Sequence, residues 1–201
     1  MTKPETGSLA PDFDLPADGG KRIRLSSLRG RKVVLYFYPK DDTPGCTKEA
    51  CDFRDNLGRA KAPGVVVYGV SKDSLASHER FRVKYSLPFE LLSDEDNAVA
   101  KAWGAYGTKT MYGKKVLGTI RSTFLIDEQG KVAAVWSPVK VDGHVEKVLA
   151  ALSGKGEGEA APVKKAARKS AAAKPAAPKK AAKKTAAKAP AAKKKASLKK
   201  K

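Results

Sequence analysis

Large apolar side chains all but run out about three quarters of the way along this chain. All 14 aromatic residues and both cysteines precede residue 137, whereas residues 160–201 hold 17 Ala, 15 Lys, one Arg and 4 Pro, with no Asp, no Glu and no aromatic. A segment of that composition cannot offset its chain entropy by burying surface. Any fold must therefore be built by what comes before it. The split also divides the charge: of the formal +20, residues 160–201 carry +16, and residues 1–159 carry 25 basic against 21 acidic side chains. The reading is one folded domain over residues 1–154, large enough for its own core. A disordered, Lys/Ala/Pro-rich basic tail follows over residues 155–201, opened by the flexible run Ser153-Gly-Lys-Gly-Glu-Gly-Glu159. Its Lys-Lys-Ala-Ala repeats keep no fixed period, which excludes a solenoid.

Several classes drop out at once. Two cysteines make neither a disulfide-rich scaffold nor a four-thiolate zinc site, and His78 and His144 stand at no metal-ligand spacing from them. No metal or other cofactor is expected. The N-terminus has no apolar run of the signal-peptide kind, and the longest apolar stretch, Val33–Tyr38, is far below a membrane span. The expectation is a soluble, cytoplasmic protein with no membrane partner. In a reducing compartment, cysteines close in sequence are more often catalytic than structural.

Strand-like and helix-like segments alternate along the domain. Residues 7–30 suggest short strands and turns, with Asp18-Gly19-Gly20 as a turn. Lys32–Tyr38 (KVVLYFY) and Gly64–Ser71 (GVVVYGVS) are continuous apolar runs of the kind buried on both faces of a sheet. A polar loop, Lys40–Gly45, leads to a helix that starts near Cys46 and runs through Glu49, Ala50, Phe53 and Leu57. Ser74 is placed to cap a second helix with Leu75, Phe81, Val83 and Tyr85 inward, and Asp142 to cap a last one with Val145, Val148, Leu149 and Leu152 inward. Phe89–Leu92 is a short strand and Asn97–Trp103 a short helix. Thr119–Ile126 and Lys131–Trp136 are strands joined by a turn. Such alternation points to an α/β sandwich.

The cysteines give this frame its chemical interest. Cys46 follows a Pro-Gly turn, in the first turn of its helix, where unpaired N–H groups and the positive helix end favour a thiolate. Cys51 lies five residues on in the same helix. Ideal helix geometry separates their Cα atoms by about 8.6 Å, on different faces. A disulfide needs roughly 4.4–6.8 Å, so the two sulfurs can join only if the helix unwinds locally. The spacing alone is a weak signal, and by itself it favours a buried Cys51 that only packs and an incidental loop thiol at Cys46.

The surrounding residues are more specific. Pro39-Lys-Asp-Asp-Thr43-Pro-Gly-Cys46 resembles the peroxiredoxin active-site pattern, and the longer stretch YFYPKDDTPGCTKEACDFRD (36–55) is similar to the peroxiredoxin Q, or bacterioferritin comigratory protein, type. Ala10-Pro-Asp-Phe13, Gly69-Val-Ser71 and Tyr112-Gly-Lys114, leading to Arg121-Ser-Thr-Phe-Leu-Ile-Asp127, follow in order; the resemblance spans roughly residues 5–152 and excludes the tail. It implies a thioredoxin-like fold, a central mixed sheet flanked by helices, and reduction of hydrogen peroxide and organic hydroperoxides. It implies Cys46 as the peroxidatic thiol, with Pro39, Thr43 and Arg121 around it. Cys51 then matches the resolving cysteine of some members, giving a Cys46–Cys51 disulfide recycled by thioredoxin or a similar dithiol. In that setting Thr43 donates a hydrogen bond to thiolate or peroxide, Arg121 supplies permanent charge from within an apolar strand, and Pro39 shields the thiol. An intramolecular resolving thiol predicts a monomer. Lys40, Asp41 and Asp42 read as a solvated loop face, and His78 and His144 as surface or capping residues.

The tail suits a polyanion. Its positive charges release counterions from nucleic-acid phosphates without reading sequence, and with no aromatics it offers nothing for base stacking. Nonspecific DNA binding through residues 160–201 is expected, with nucleoid association, or a nuclear location in a eukaryotic source. A nucleic-acid-compacting protein with a redox-sensing domain is the alternative. A general dithiol oxidoreductase is disfavoured by the absence of C-x-x-C.

Overall fold

The computed structural model describes residues 3–57, 64–111 and 114–154. The basic tail, the linker from Lys155 and the Tyr112-Gly113 pair therefore lie outside the described residues.

The centre of the domain is the apolar run seen in the sequence. Strand β3 (Lys32–Phe37) lies between β4 (Val65–Ser71), parallel to it, and β8 (Ser122–Ile126), antiparallel; β5 (Leu91–Ser93) and β9 (Val132–Trp136) complete a mixed sheet of order β5-β4-β3-β8-β9. Side chains alternate across a strand, so β3 feeds two cores. Val33, Leu35 and Phe37 join Trp103 and Phe124 on one side; Val34, Tyr36 and the following Tyr38 join Phe53, Phe81 and Val148 on the other. The second side is covered by α1 (Pro44–Leu57), α2 (Leu75–Tyr85) and α4 (His144–Leu152). The first is covered by α3 (Ala98–Ala102) and the N-terminal hairpin of β1 (Asp14–Pro16) and β2 (Arg22–Arg24). This is the thioredoxin-like arrangement the resemblance implies. Among the described residues, no helix is long and apolar enough to cross a membrane.

Four local expectations are corrected. Thr119–Ile126 is not one strand. A hairpin of β6 (Tyr106–Met111) and β7 (Lys114–Thr119) ends at Thr119, the Ile120 N–H turns to the Ala105 carbonyl, and β8 begins at Ser122. Arg121 therefore sits in a break between strands, free of the sheet's alternation. Val83 is 73% exposed, because α2 packs through His78 and Phe81 and its outer face meets water. Ser74 does occupy the α2 N-cap position, but its side chain makes no cap bond. Asp142 does not cap α4: Gly143 takes that position with φ 68°, and the Asp142 carboxylate pairs with Lys48 of α1 at 3.3 Å.

Candidate active site

The C-terminal ends of parallel strands β3, β4 and β5 lie on one edge of the sheet, the usual place for a site in an α/β fold. From β3 the chain passes through Tyr38–Thr43 into α1. Pro44 opens the helix and has no N–H to waste there. The helix's own bonding begins with the Thr47 N–H on the Thr43 carbonyl (2.8 Å). The N–H groups of Gly45 and Cys46 belong to the first turn, which has no intrahelical acceptors.

Cys46 is buried, on the stripe of α1 that also carries Ala50 and Phe53. That stripe lies on an aromatic floor, with the Tyr36 ring stacked on Phe53 (5.0 Å) and on Tyr38 (5.4 Å). The floor depends on Gly69, the β4 partner of Tyr36: a Cβ there would meet the Tyr36 hydroxyl at 2.6 Å.

Arg121 reaches across from the strand break. Its Nη2 donates to the Cys46 sulfur at 3.2 Å, and its Nη1 to the Glu49 carboxylate. Burial works against the guanidinium's charge, but Glu49 and Cys46 outweigh it and push Arg121 above its ordinary value. Glu49 is fully buried, and one of its oxygens, Oε1, has no partner among the described residues. Burial pushes its carboxyl up to about 7 although Arg121 pulls the other way. Sequence reading missed Glu49, although a signal was present. It stands at i+3 from Cys46, on the buried stripe of α1, where a carboxylate requires a buried cation.

The remaining expected residues are close in sequence but differently engaged. The Thr43 hydroxyl donates to the Lys40 carbonyl (3.1 Å) and so braces the turn before α1. Pro39, half-buried, starts that turn. Cys51 shares α1 with Cys46; both thiols are free, and burial pushes the Cys51 thiol up despite Arg54 nearby.

Three polar residues expected at the surface lie inside. Asp41 is buried and accepts hydrogen bonds from the Tyr38 hydroxyl (2.7 Å) and Ser77 Oγ (2.8 Å), and pairs with His78 Nδ1 (2.9 Å). His78 is fully buried on α2. His144 is buried against Thr123 Oγ1 (2.8 Å); burial first, then Lys147 and Arg121, drives it down to about 4. In each case the sequence shows a polar residue, while its partners come from 14 to 40 positions away or, for Tyr38 and Asp41, from around the turn. Among the described residues no group of three or more His, Cys, Asp or Glu is placed to hold a metal ion.

Comparison with known proteins agrees with this geometry. The model of the AhpC/TSA family matches residues 6–135. Peroxiredoxin Bcp of Bacillus subtilis is 46% identical over 148 residues, 74% of this chain and 94% of that protein. Among solved structures, the bacterioferritin comigratory protein of Xanthomonas campestris, described for its alkyl peroxide reduction activity, superposes with a TM-score of 0.67 at 44% identity, covering 71% of this chain and 90% of that one. A Cys-to-Ser mutant of Xylella fastidiosa PrxQ gives a TM-score of 0.71 at 37% identity, covering 77% and 98%. The matched stretch is nearly the whole of those proteins and about three quarters of this one, so the basic tail is extra length. A buried cysteine at a helix start, touched by a guanidinium on this fold, and these likenesses lead to one conclusion: the chain belongs to the AhpC/TSA family and is a peroxiredoxin of the Bcp/Q type, a thiol peroxidase.

Proposed function

We propose that Cys46 is the peroxidatic thiol, that Cys51 resolves it, and that a dithiol protein such as thioredoxin closes the cycle. The observation that carries this reading is the Arg121 Nη2 contact with the buried Cys46 sulfur at 3.2 Å, in the first turn of a helix. The Cys46 thiolate attacks the near oxygen of a hydroperoxide, the O–O bond breaks, and the leaving oxygen departs as alkoxide or hydroxide and takes up a proton. Cys46 is left as a sulfenic acid. Arg121 and the first-turn N–H groups lie where negative charge spreads from sulfur to the leaving oxygen. Thr43, its hydroxyl hydrogen directed to Lys40, offers lone pairs to a peroxide O–H and holds the turn. Pro39 limits water at its edge, and Glu49 aims the guanidinium.

Resolution needs motion. The Cys51 sulfur displaces water from the Cys46 sulfenic acid, and the bond cannot form across an intact α1. Unwinding the first turns breaks the Arg121 bonds to Glu49 and Cys46. The cost is offset in part because Glu49, whose burial is itself unfavourable, returns to water, and the surface ion pairs of Lys48 with Asp52 and Asp142 that are also given up stabilise little. Phe53, beyond Cys51, keeps its place on Tyr36. The reductant then exchanges with the disulfide and restores both thiols. A monomer suffices for this cycle, acting on hydrogen peroxide and organic hydroperoxides. We further propose that residues 160–201, with 16 positive charges and no negative one, hold the enzyme nonspecifically on DNA in the cytoplasm or nucleoid.

Two assays test these readings. Peroxide consumption with thioredoxin should be sustained by the wild type. A reduced wild type that leaves hydroperoxide intact contradicts the catalytic assignment. Gel shifts with duplex DNA should show salt-sensitive binding by the full chain and none by residues 1–154; equal, negligible binding by both contradicts the tether.

A further inference from the structure

The turn between β3 and α1 is fastened from two sides, and the two fastenings differ in kind. Asp41 and Asp42 are adjacent, yet one points inward and the other outward. The Asp41 carboxylate collects Tyr38 at the end of β3 and Ser77 and His78 on α2, while its backbone N–H donates to the Asp73 carboxylate (2.8 Å), which also takes Ser71 Oγ at the end of β4 (2.7 Å). His78 completes the set. Its Nδ1 faces Asp41, and its Nε2 faces the Leu92 carbonyl of β5 at 3.2 Å. Both ring nitrogens thus face oxygen atoms of other elements. Burial alone would raise the Asp41 carboxyl, but the hydrogen bond and charge of His78, together with the hydrogen bonds of Tyr38 and Ser77, hold it below its ordinary value. Asp42 has the opposite setting. It takes the left-handed conformation (φ 54°), and its exposed carboxylate binds Lys84 (2.7 Å) and Tyr85 (2.5 Å) at the surface.

The physics of the two is unequal. An exposed ion pair is worth little and re-forms freely. A buried pair is costly to open, because either partner alone is left as an uncompensated charge or an unmet hydrogen bond. When strain develops in this turn, it passes to Asp42 and beyond before Asp41 moves.

Resting on the Cys46–Cys51 disulfide proposed above, we propose that Asp41 and His78 are positioning residues of the peroxidase. Their buried pair holds the turn before α1 in the same place in the dithiol and disulfide forms, so that unwinding is confined to the chain from Asp42 onward. Cys46 then returns to Arg121 on reduction from a fixed point five residues away, without a search. The pair spans β3, α2 and β5, elements that the redox step leaves intact.

Hydrogen exchange read by mass spectrometry tests this in the full-length wild type, reduced and after one equivalent of peroxide. Segments 38–41 and 77–79 should keep the same protection in both forms, while 44–51 loses it on oxidation. Loss of protection at 38–41 together with 44–51 overturns the proposal. A second arm uses Asp41→Asn and His78→Gln in rapid-quench single turnovers that separate Cys46 oxidation from disulfide formation. With the anchor loosened, oxidation should slow by about tenfold, the scale of a small misplacement of a reacting group, while disulfide formation holds or quickens. Leu25→Ala, a cavity variant in the opposite core, controls for lost stability and should leave the ratio of the two steps at the wild-type value. If the anchor variants slow both steps in the same proportion, the proposal is overturned; if they do not fold, the wild-type exchange decides. A wild type that forms no Cys46–Cys51 bond contradicts the peroxidase reading, whereas one that forms it while exchange spreads into 38–41 contradicts the anchor alone.

Discussion

Cys46 and Cys51 are the same side chain on the same helix, and their surroundings give them different chemistry. Cys46 is sealed in the first turn of α1, with a guanidinium at 3.2 Å and a buried carboxylate behind it. Cys51, half-buried, has no such hydrogen bond from Arg121, and its thiol is pushed up by burial. In the proposed cycle the nucleophile and the resolver are thus told apart by burial and one cation, and the helix between them keeps the two apart until the chemistry is done.

The strongest way to break this comparison is to remove each sulfur in turn. Cys46→Ser should abolish peroxide consumption. Cys51→Ser should consume one equivalent and then stall, or require an external thiol, as a coupled thioredoxin assay shows directly. If Cys51→Ser were the inactive variant, the roles would be reversed. Next comes the cation. Arg121→Ala should slow Cys46 oxidation by about 10²–10³, the usual cost of removing a donor aimed at developing charge. Arg121→Lys should recover only part of that, since an ammonium cannot serve Cys46 and Glu49 together in a planar fork. Competition kinetics against a reference peroxidase measure both.

The general frame was legible in the sequence because local pattern carries it. The run at 32–38 reads as a central strand, the residues from Cys46 as a helix start two positions after its actual beginning at Pro44, and positions 46 and 51 as sharing one helix. The buried polar pairings were not legible. Glu49 with Arg121 spans 72 residues and His78 with Asp41 spans 37. A polar residue on a helix reads as solvated unless its distant partner is known. Arg121 was found through its motif, but its place in a strand break was not, because the hairpin end at Thr119 is fixed by a backbone bond from Ile120 to Ala105. Val83 failed for a related reason: periodicity reports which side chains are apolar, not how wide a face α2 buries.

A smaller effect sharpens the account of the carboxylate behind Cys46. Glu49 titrates at about 7 in the folded chain against an ordinary 4.5. Its folded value is raised, so its contribution to stability is full below 4.5 and is lost as pH rises through 7. His144 has the opposite sign. At about 4 against an ordinary 6.5, it contributes stability above 6.5 that is lost as pH falls through 4. The two slopes oppose each other between 4.5 and 6.5. Urea unfolding across that window should therefore show stability rising more steeply with pH in Glu49→Gln than in the wild type, and less steeply in His144→Gln. Parallel profiles for all three contradict the burial of these groups as described. The smallest effect concerns the tail. Ending the chain at Gly154 should leave the rate of Cys46 oxidation unchanged, since every group at the pocket lies before that residue; a slower truncated enzyme, measured by the same competition kinetics, would give the tail a part in the chemistry.

The central claim is that the two thiols act in order, Cys46 first and Cys51 after α1 opens. Peptide mass spectrometry after one equivalent of peroxide tests it most directly. The account predicts a Cys46–Cys51 cross-link in the wild type and, in Cys51→Ser, a sulfenic acid trapped on Cys46. Oxidation found first on Cys51, or a wild type consumed by peroxide with no link between residues 46 and 51, would contradict it.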